Sequence, residues 1–227
     1  MPIRHRVGTG RVIPTKFKPP HPEDTPKQLF PVSTNMAATP PVTRFIRRTD
    51  KTQLLIYTDG ACLDNGGTNP RAGCAFVFKP STTNPRSDGY THFALESKGP
   101  TGDPSPQTSN RAELRAVIGA LRFRAWEGEG FKSLVIATDS GYVVDGITEW
   151  VRGWIRRRWT TSMGKPVKNQ DLWQCLLGEM ERWDERGLQV LFWQIPRDLN
   201  GEADRYAKEG AQEEQPEEFM DISGVLV

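Results

Sequence analysis

Four carboxylates stand where the chain turns from one element to the next. Asp59 follows the apolar run Leu54-Leu55-Ile56-Tyr57-Thr58. Glu113 falls in the first turn of a helix that opens near Asn110. Asp139 follows Leu134-Val135-Ile136-Ala137-Thr138, and Asp204 lies in a last helix spanning Gly201–Ala211. Carboxylates gathered at one point repel, which raises some pKa values unless cations are present. Oxygen-only ligands suit Mg²⁺ or Mn²⁺ rather than Zn²⁺. Two such ions, about 4 Å apart, can activate a water and stabilise the leaving oxygen of a phosphodiester. Each acid also has an ordinary local explanation. Asp59 before Gly60 suits a turn. Glu113 suits a capping box with Asn110. Asp139-Ser140 suits a helix cap, and Asp204 suits a helix start. Spacing alone leaves both possibilities open.

The elements that would carry these acids follow from periodicity. Short apolar runs predict strands at 54–58, 73–78, 90–97, 134–138 and 188–194. Leu114, Val117 and Leu121 form a helical stripe. So do Val143, Ile147, Trp150, Val151 and Trp154 in a helix from about Ser140, and Leu172, Leu176 and Trp183 between Asn169 and Arg186. Three strands followed by alternating helices and strands imply an α/β fold, a mixed sheet covered by helices.

Charge divides the 227 residues into three parts. Residues 1–50 hold nine Lys/Arg against three Asp/Glu, and residues 212–227 hold five acids and no base. The middle, 51–211, is nearly balanced. This pattern predicts one folded domain over 51–211, between a Pro-rich basic arm (1–50), mostly disordered, and an acidic tail (212–227). The tail is expected to be solvated, or to compete with nucleic acid for basic residues. No apolar run approaches the roughly 18 residues that span a bilayer, so no membrane is expected. Cys62, Cys74 and Cys175 are too few and too widely spaced for a disulfide framework or a cysteine-based zinc site. They favour a reducing, intracellular compartment. Nuclear, cytoplasmic and mitochondrial settings stay open. The wholly basic residues 1–22 suit an organelle presequence, although their prolines would break its amphipathic helix.

Residues 150–168 carry Arg152, Arg156, Arg157, Arg158, Lys165 and Lys168 with no acid, interleaved with Trp150, Trp154 and Trp159. Cations supply phosphate affinity, and aromatic rings pack on sugars or bases. A helix with Trp facing the core and Arg facing water is the plainer account. Six bases without a counter-acid favour nucleic-acid binding.

The local words around these residues resemble type 1 ribonuclease H. They are Tyr57-Thr58-Asp59-Gly60-Ala61-Cys62, Asn65-Gly66, Pro70-Arg71-Ala72-Gly73, Thr108 to Leu114, Ala137 to Ser140, Gly146 to Trp154, and Asn200-Gly201-Glu202-Ala203-Asp204. The resemblance runs in order over about residues 52–211. It implies a five-stranded mixed sheet flanked by helices, and cleavage of the RNA strand of RNA–DNA hybrids. It implies that Asp59, Glu113, Asp139 and Asp204 hold two Mg²⁺ ions, with Mn²⁺ a possible substitute, and that the products carry 5′-phosphate and 3′-hydroxyl ends. By the same resemblance Asn65, Ser109 and Asn110 contact RNA 2′-hydroxyls, the group that distinguishes RNA from DNA. Asn65 before Gly66 is equally suited to a simple turn. Thr108 and Asn169 match residues that hold a DNA phosphate, and Tyr142, Trp150 and Ser162 match the DNA channel. The basic stretch matches the protrusion that grips the DNA strand. A monomer is expected.

The pattern fails in one place. The family often has a loop before the last carboxylate with a histidine that assists proton transfer or product release. Here Gln194 to Glu202 is shorter and has none, and His5, His21 and His92 lie elsewhere. Pro106 also stands where relatives can carry an arginine. A catalytically weak or inactive hybrid-binding subunit is therefore the alternative. A related polynucleotidyl transferase or exonuclease would leave the basic handle and the Asn65/Asn110 set unexplained.

Overall fold

The computed structural model describes residues 6–80 and 89–224. Its strands are β1 (Thr15–Lys16), β2 (Val32–Asn35), β3 (Val42–Ile46), β4 (Gln53–Leu63), β5 (Arg71–Val77), β6 (Tyr90–Ala94), β7 (Ser133–Thr138) and β8 (Gln189–Gln194). Its helices are α1 (Pro26–Leu29), α2 (Ser109–Arg122), α3 (Gly141–Asp145), α4 (Val151–Arg156), α5 (Gln170–Glu185) and α6 (Gly201–Gly210). The helix expected from Ser140 is interrupted by a π-turn at Gly146–Trp150.

The five expected strands are β4 to β8, except that β4 does not stop at Thr58: it runs through Asp59-Gly60 to Leu63, held by its pairing with β5. β4 pairs antiparallel with β5 and parallel with β7, β5 pairs with β6, and β7 pairs parallel with β8. Side chains alternate faces along a strand, so the sheet divides the apolar residues into two cores. Leu54, Ile56, Leu134, Ile136 and Phe192 meet α2 and α5 residues such as Leu114 and Leu176. Leu55, Tyr57, Val135, Ala137 and Trp193 meet Ala203, Tyr206 and Ala207 of α6.

The arm corrects the sequence expectation. Within its described residues, 6–50, it is folded onto the domain and enlarges the sheet to eight strands. β5 pairs only with the second half of β4, from Tyr57 onward. β7 occupies the opposite edge of the first half. The remaining edge takes β3, through Phe45–Leu55 and Ile46–Leu54, and β2 pairs with β3. β1 adds a parallel pair outside β8. Phe17, Phe30 and Phe45 are buried. Phe17 packs on Trp193 at 4.9 Å and on Phe30 at 5.7 Å, under the guanidinium of Arg47. The arm's bases are also engaged: Arg6 and Arg11 pair with Glu185, Lys16 with Asp145 and Glu149, and buried Arg44 with Glu129. Three isolated aromatics, seated on edges the sheet leaves free, order a segment whose composition favours disorder.

The tail differs from expectation as well. Over 212–224 it is anchored along β6 and α2, although most of its side chains stay exposed. Glu217 and Glu218 meet Lys98, Glu213 meets His92, and Asp221 meets Arg122. The Phe219 ring lies 4.3 Å from the guanidinium of Arg115, which forms a buried pair with Glu96. Met220 accepts from Arg115 through its carbonyl and donates to Glu96 through its amide. None of these partners belongs to the basic stretch 150–168. Residues 1–5 and 225–227 lie outside the described residues, and no described helix is long and apolar enough to cross a membrane.

Removing residues 212–227 should therefore uncover the Glu96–Arg115 pair. Losing its hydrogen bonds and cover should cost about 2 kcal/mol and lower the thermal midpoint by roughly 4–8 °C. Calorimetry of the truncated chain checks this; an unchanged midpoint would refute the strap.

Candidate active site

Two parallel strands and one glycine assemble the acidic site. Tyr57 of β4 is paired with Ala137 of β7. Two residues further along, where the β4–β7 pairing has ended, stand Asp59, within β4 as it runs on to Leu63 beside β5, and Asp139, directly after β7. Open α/β sheets bind ligands at this end. Gly60 brings in the third acid. A Cβ on Gly60 would lie 2.1 Å from the Glu113 backbone nitrogen. Only a residue without a side chain lets α2 approach this closely.

The caps answer the local alternatives. Thr108 caps α2, its side chain accepting from the Arg111 backbone N–H, so Glu113 has no capping role with Asn110. Ser140 caps α3 by accepting from Val143 N–H, and Asp139 is left to the site. Carboxylate oxygens of Asp59, Glu113 and Asp139 all lie within 4.8 Å of one another. Asp59 is 4% exposed. Burial pushes its pKa up to about 6, with the charges of Asp139 and Asp204 adding to the effect. Burial and the charges of Asp59 and Asp139 push Glu113 well above the usual carboxylate range. Glu113 Oε2 is buried without a hydrogen-bond partner. Converging, partly desolvated oxygens with an orphan acceptor fit a hard divalent cation.

Asp204 is not in this group of three. Arg197 Nη2 lies 3.1 Å from its Oδ1, and Lys208 Nζ 2.5 Å from its Oδ2. Arg197, 75% exposed, sits in the short turn Arg197–Leu199 where relatives can place a histidine. His92 is instead engaged by Glu213.

The expected substrate contacts divide between a cleft and an extended handle. Asn65, Thr108, Ser109, Asn110, Lys168 and Asn169 line one cleft of about 760 Å³. Pro106 lies in its wall. Arg111, also in that wall, forks onto Asp171. Asn169 adopts φ 56° and donates from Nδ2 to the Tyr142 hydroxyl at 3.2 Å. Tyr142 leads to Trp150 at 6.3 Å and then to Trp154 at 5.9 Å. Trp154 is buried, as the plainer account requires, whereas Trp150 is 41% exposed. Lys168 thus belongs to the cleft. Arg152, Arg156, Arg157, Arg158 and Lys165 are exposed, as is Ser162. Among the described residues, none of these five bases or Lys168 forms an ion pair, although 19 ion pairs occur elsewhere. Arg158 and Trp159 take left-handed backbone angles, φ 52° and 64°, at the bend that ends α4.

Sequence reasoning missed one residue at the centre of the site. Asn200, at the start of α6, donates from Nδ2 to Asp139 Oδ1 at 2.8 Å and to the Thr58 carbonyl at 3.0 Å. Its position in the Asn200-to-Asp204 word was the available signal.

Comparisons with known proteins agree with this geometry. The RNase H family model matches residues 51–212. A ribonuclease H from Cyanothece sp. is 38% identical over 167 residues, covering 71% of this chain and 91% of that protein. Human ribonuclease H1 is 33% identical over 166 residues, covering 71% of this chain and 51% of that protein. The foamy viral protease-reverse transcriptase, solved in complex with an RNA/DNA hybrid, aligns with a TM-score of 0.50 at 16% identity, covering 88% of this chain and 22% of that one. This last likeness concerns the fold alone. The chain belongs to the ribonuclease H family, metal-dependent endoribonucleases that cleave the RNA of RNA–DNA hybrids.

Proposed function

We propose that this chain hydrolyses the RNA strand of RNA–DNA hybrids at the site of Asp59, Glu113 and Asp139, with Asp204 as the fourth carboxylate, leaving 5′-phosphate and 3′-hydroxyl ends. The observation that carries this reading is the convergence of three carboxylates around a buried, unpartnered oxygen in a ribonuclease H chain. Mg²⁺ is the cation of choice and Mn²⁺ a substitute, because the donors are all oxygen. Bound divalent ions would supply water activation and stabilisation of the leaving oxygen.

The remaining work falls to side chains. Asn65, Ser109 and Asn110 can donate and accept, the chemistry a 2′-hydroxyl requires. Thr108, Asn169 and Lys168 share their cleft and would seat a phosphate of the DNA strand, which fixes register without reading sequence. Trp150 offers a ring to a sugar, with Tyr142 behind it and Ser162 further along the handle. Arg152, Arg156, Arg157, Arg158 and Lys165 have no competing acids and so remain available to the backbone. Arg197 and Lys208 hold Asp204 until substrate and cation compete for it.

One chain is taken as the working unit, because its exposed large apolar residues are scattered over arm, turns, handle and tail. The free thiols Cys62, Cys74 and Cys175 support an intracellular setting. A second reading, a hybrid-binding chain with little turnover, is favoured by the pairing of Asp204 with two cations and by a site without histidine.

Cleavage of a labelled hybrid with Mg²⁺ or Mn²⁺ separates the two readings. Asp59→Asn should abolish cutting while hybrid binding persists; hybrid binding without cutting in the parent chain supports the second reading. Asp59→Asn should also stabilise the metal-free protein. The folded-state pKa of Asp59, about 6, lies above its ordinary value of 3.8. The parent therefore loses stability as pH rises from about 3.8 through about 6, by about 3 kcal/mol in all and roughly half of that above pH 5. Thermal melts at pH 5 and pH 7.5 should show this loss in the parent and a smaller one in Asp59→Asn. Added Mg²⁺ should raise the melting temperature of the parent alone.

Replacing Arg156, Arg157 and Arg158 together by Gln should weaken hybrid binding and flatten its salt dependence. The slope of log affinity against log salt should fall by about 0.9 for each phosphate that is no longer neutralised. Titrations between 50 and 200 mM salt check this.

A further inference from the structure

Asn200 is 1% exposed and is tied to both strands that carry a site acid. Its Nδ2 bridges Asp139 Oδ1 and the carbonyl of Thr58, the residue before Asp59. Its own carbonyl accepts from the Asp204 backbone N–H, and its N–H donates to the Arg197 carbonyl. One residue therefore links the middle of β4, the end of β7 and the first turn of α6. Its Oδ1 is buried with no partner. The cleft beside it, about 730 Å³, is walled by Phe30, Phe45, Tyr57 and Leu199, so the folded arm closes in behind it.

We propose that Asn200 is a positioning residue that fixes the Asp139 carboxylate for cation binding. The proposal rests on the assignment of the carboxylates as cation ligands and goes beyond it. A buried amide suits the task better than a lysine or arginine would. It restrains one carboxylate oxygen by a donated hydrogen bond and brings no positive charge that would oppose a cation. The same amide group satisfies the Thr58 carbonyl, where β4 parts from β7 while still paired with β5. Partners that orient metal-binding carboxylates are commonly worth 10–100-fold in metal affinity.

The test is calorimetric titration of Mn²⁺ and Mg²⁺ into the full chain, with parent, Asn200→Ala, Asn200→Leu and Asp59→Asn proteins. Circular dichroism at the titration temperature establishes that each is folded. Asn200→Ala should bind the cations at least tenfold more weakly. Its hybrid affinity without metal should be unchanged, because the Asn65–Asn169 cleft is separate. Its kcat should fall with little change in hybrid KM. Asn200→Leu keeps the volume and loses both donors without adding a charge, so it tests the hydrogen bonds even if the alanine variant fails to fold. A folded Asn200 variant with metal affinity within twofold of the parent overturns the proposal. An Asp59→Asn chain that binds metal as the parent does overturns instead the carboxylate assignment on which it rests.

Discussion

Parallel pairing of β4 with β7 brings two carboxylates, Asp59 within β4 and Asp139 just past β7, to the point where that pairing ends, and the approach of α2 over Gly60 adds a third. Like charges at this spacing oppose folding, and burial makes the opposition stronger. The rest of the structure holds them there. Two apolar layers, one on each face of the sheet, prevent the strands from splaying. The cap at Thr108 fixes where α2 begins, and that at Ser140 fixes where α3 begins. Stability and chemistry therefore pull against each other in the metal-free chain, and a bound cation would reconcile them.

Around this centre the polar surface is divided by function. Most ion pairs lie where the arm, the tail and α5 meet the domain. The handle bases and Lys168 are spared such pairing, and the cleft by Thr108 and Asn169 sets Lys168 among hydroxyls and amides, with Asp103 and the Arg111–Asp171 pair in its wall. A backbone phosphate can thus be met without first displacing an internal partner. Two consecutive left-handed residues, Arg158 and Trp159, carry a conformational cost that a glycine would avoid. The bend they make turns the chain from α4 into the handle.

Much of this was legible in the residues. Leu54–Thr58 and Leu134–Thr138 are apolar runs that reach an aspartate, so β7, the first half of β4 and the placement of Asp59 and Asp139 follow from local pattern; Asp59-Gly60 reads as a stop, yet β4 runs on to Leu63 because β5 continues to pair with it. The stripe Leu114, Val117, Leu121 positions α2 and, with it, Glu113. The arm was not legible. Its aromatics are isolated between prolines, and what orders them is the free half-edge of β4 and the face of Trp193, both distant in sequence. The tail misled for a similar reason: a run of acids suggests solvation, but Lys98, His92, Arg115 and Arg122 await it on other elements. Asp204 shows the limit at a single residue. Lys208, four positions on, is an evident helix partner, whereas Arg197 reaches Asp204 only because the preceding turn is short.

The sheet's outer strands give the folded ends of the chain one more consequence. β8 would otherwise present a row of unpaired backbone groups, and so would the chain just past β6. Such rows invite strands from other molecules. β1 occupies part of the first, with a lysine in its two-residue span. The tail takes the second, where the Ser97 and Lys98 amides donate to the carbonyls of Pro216 and Glu217. Each terminus thus acts as a guard against edge-to-edge aggregation, and trimming either one would expose a template for fibrous or amorphous self-association while leaving every acid of the site in the chain.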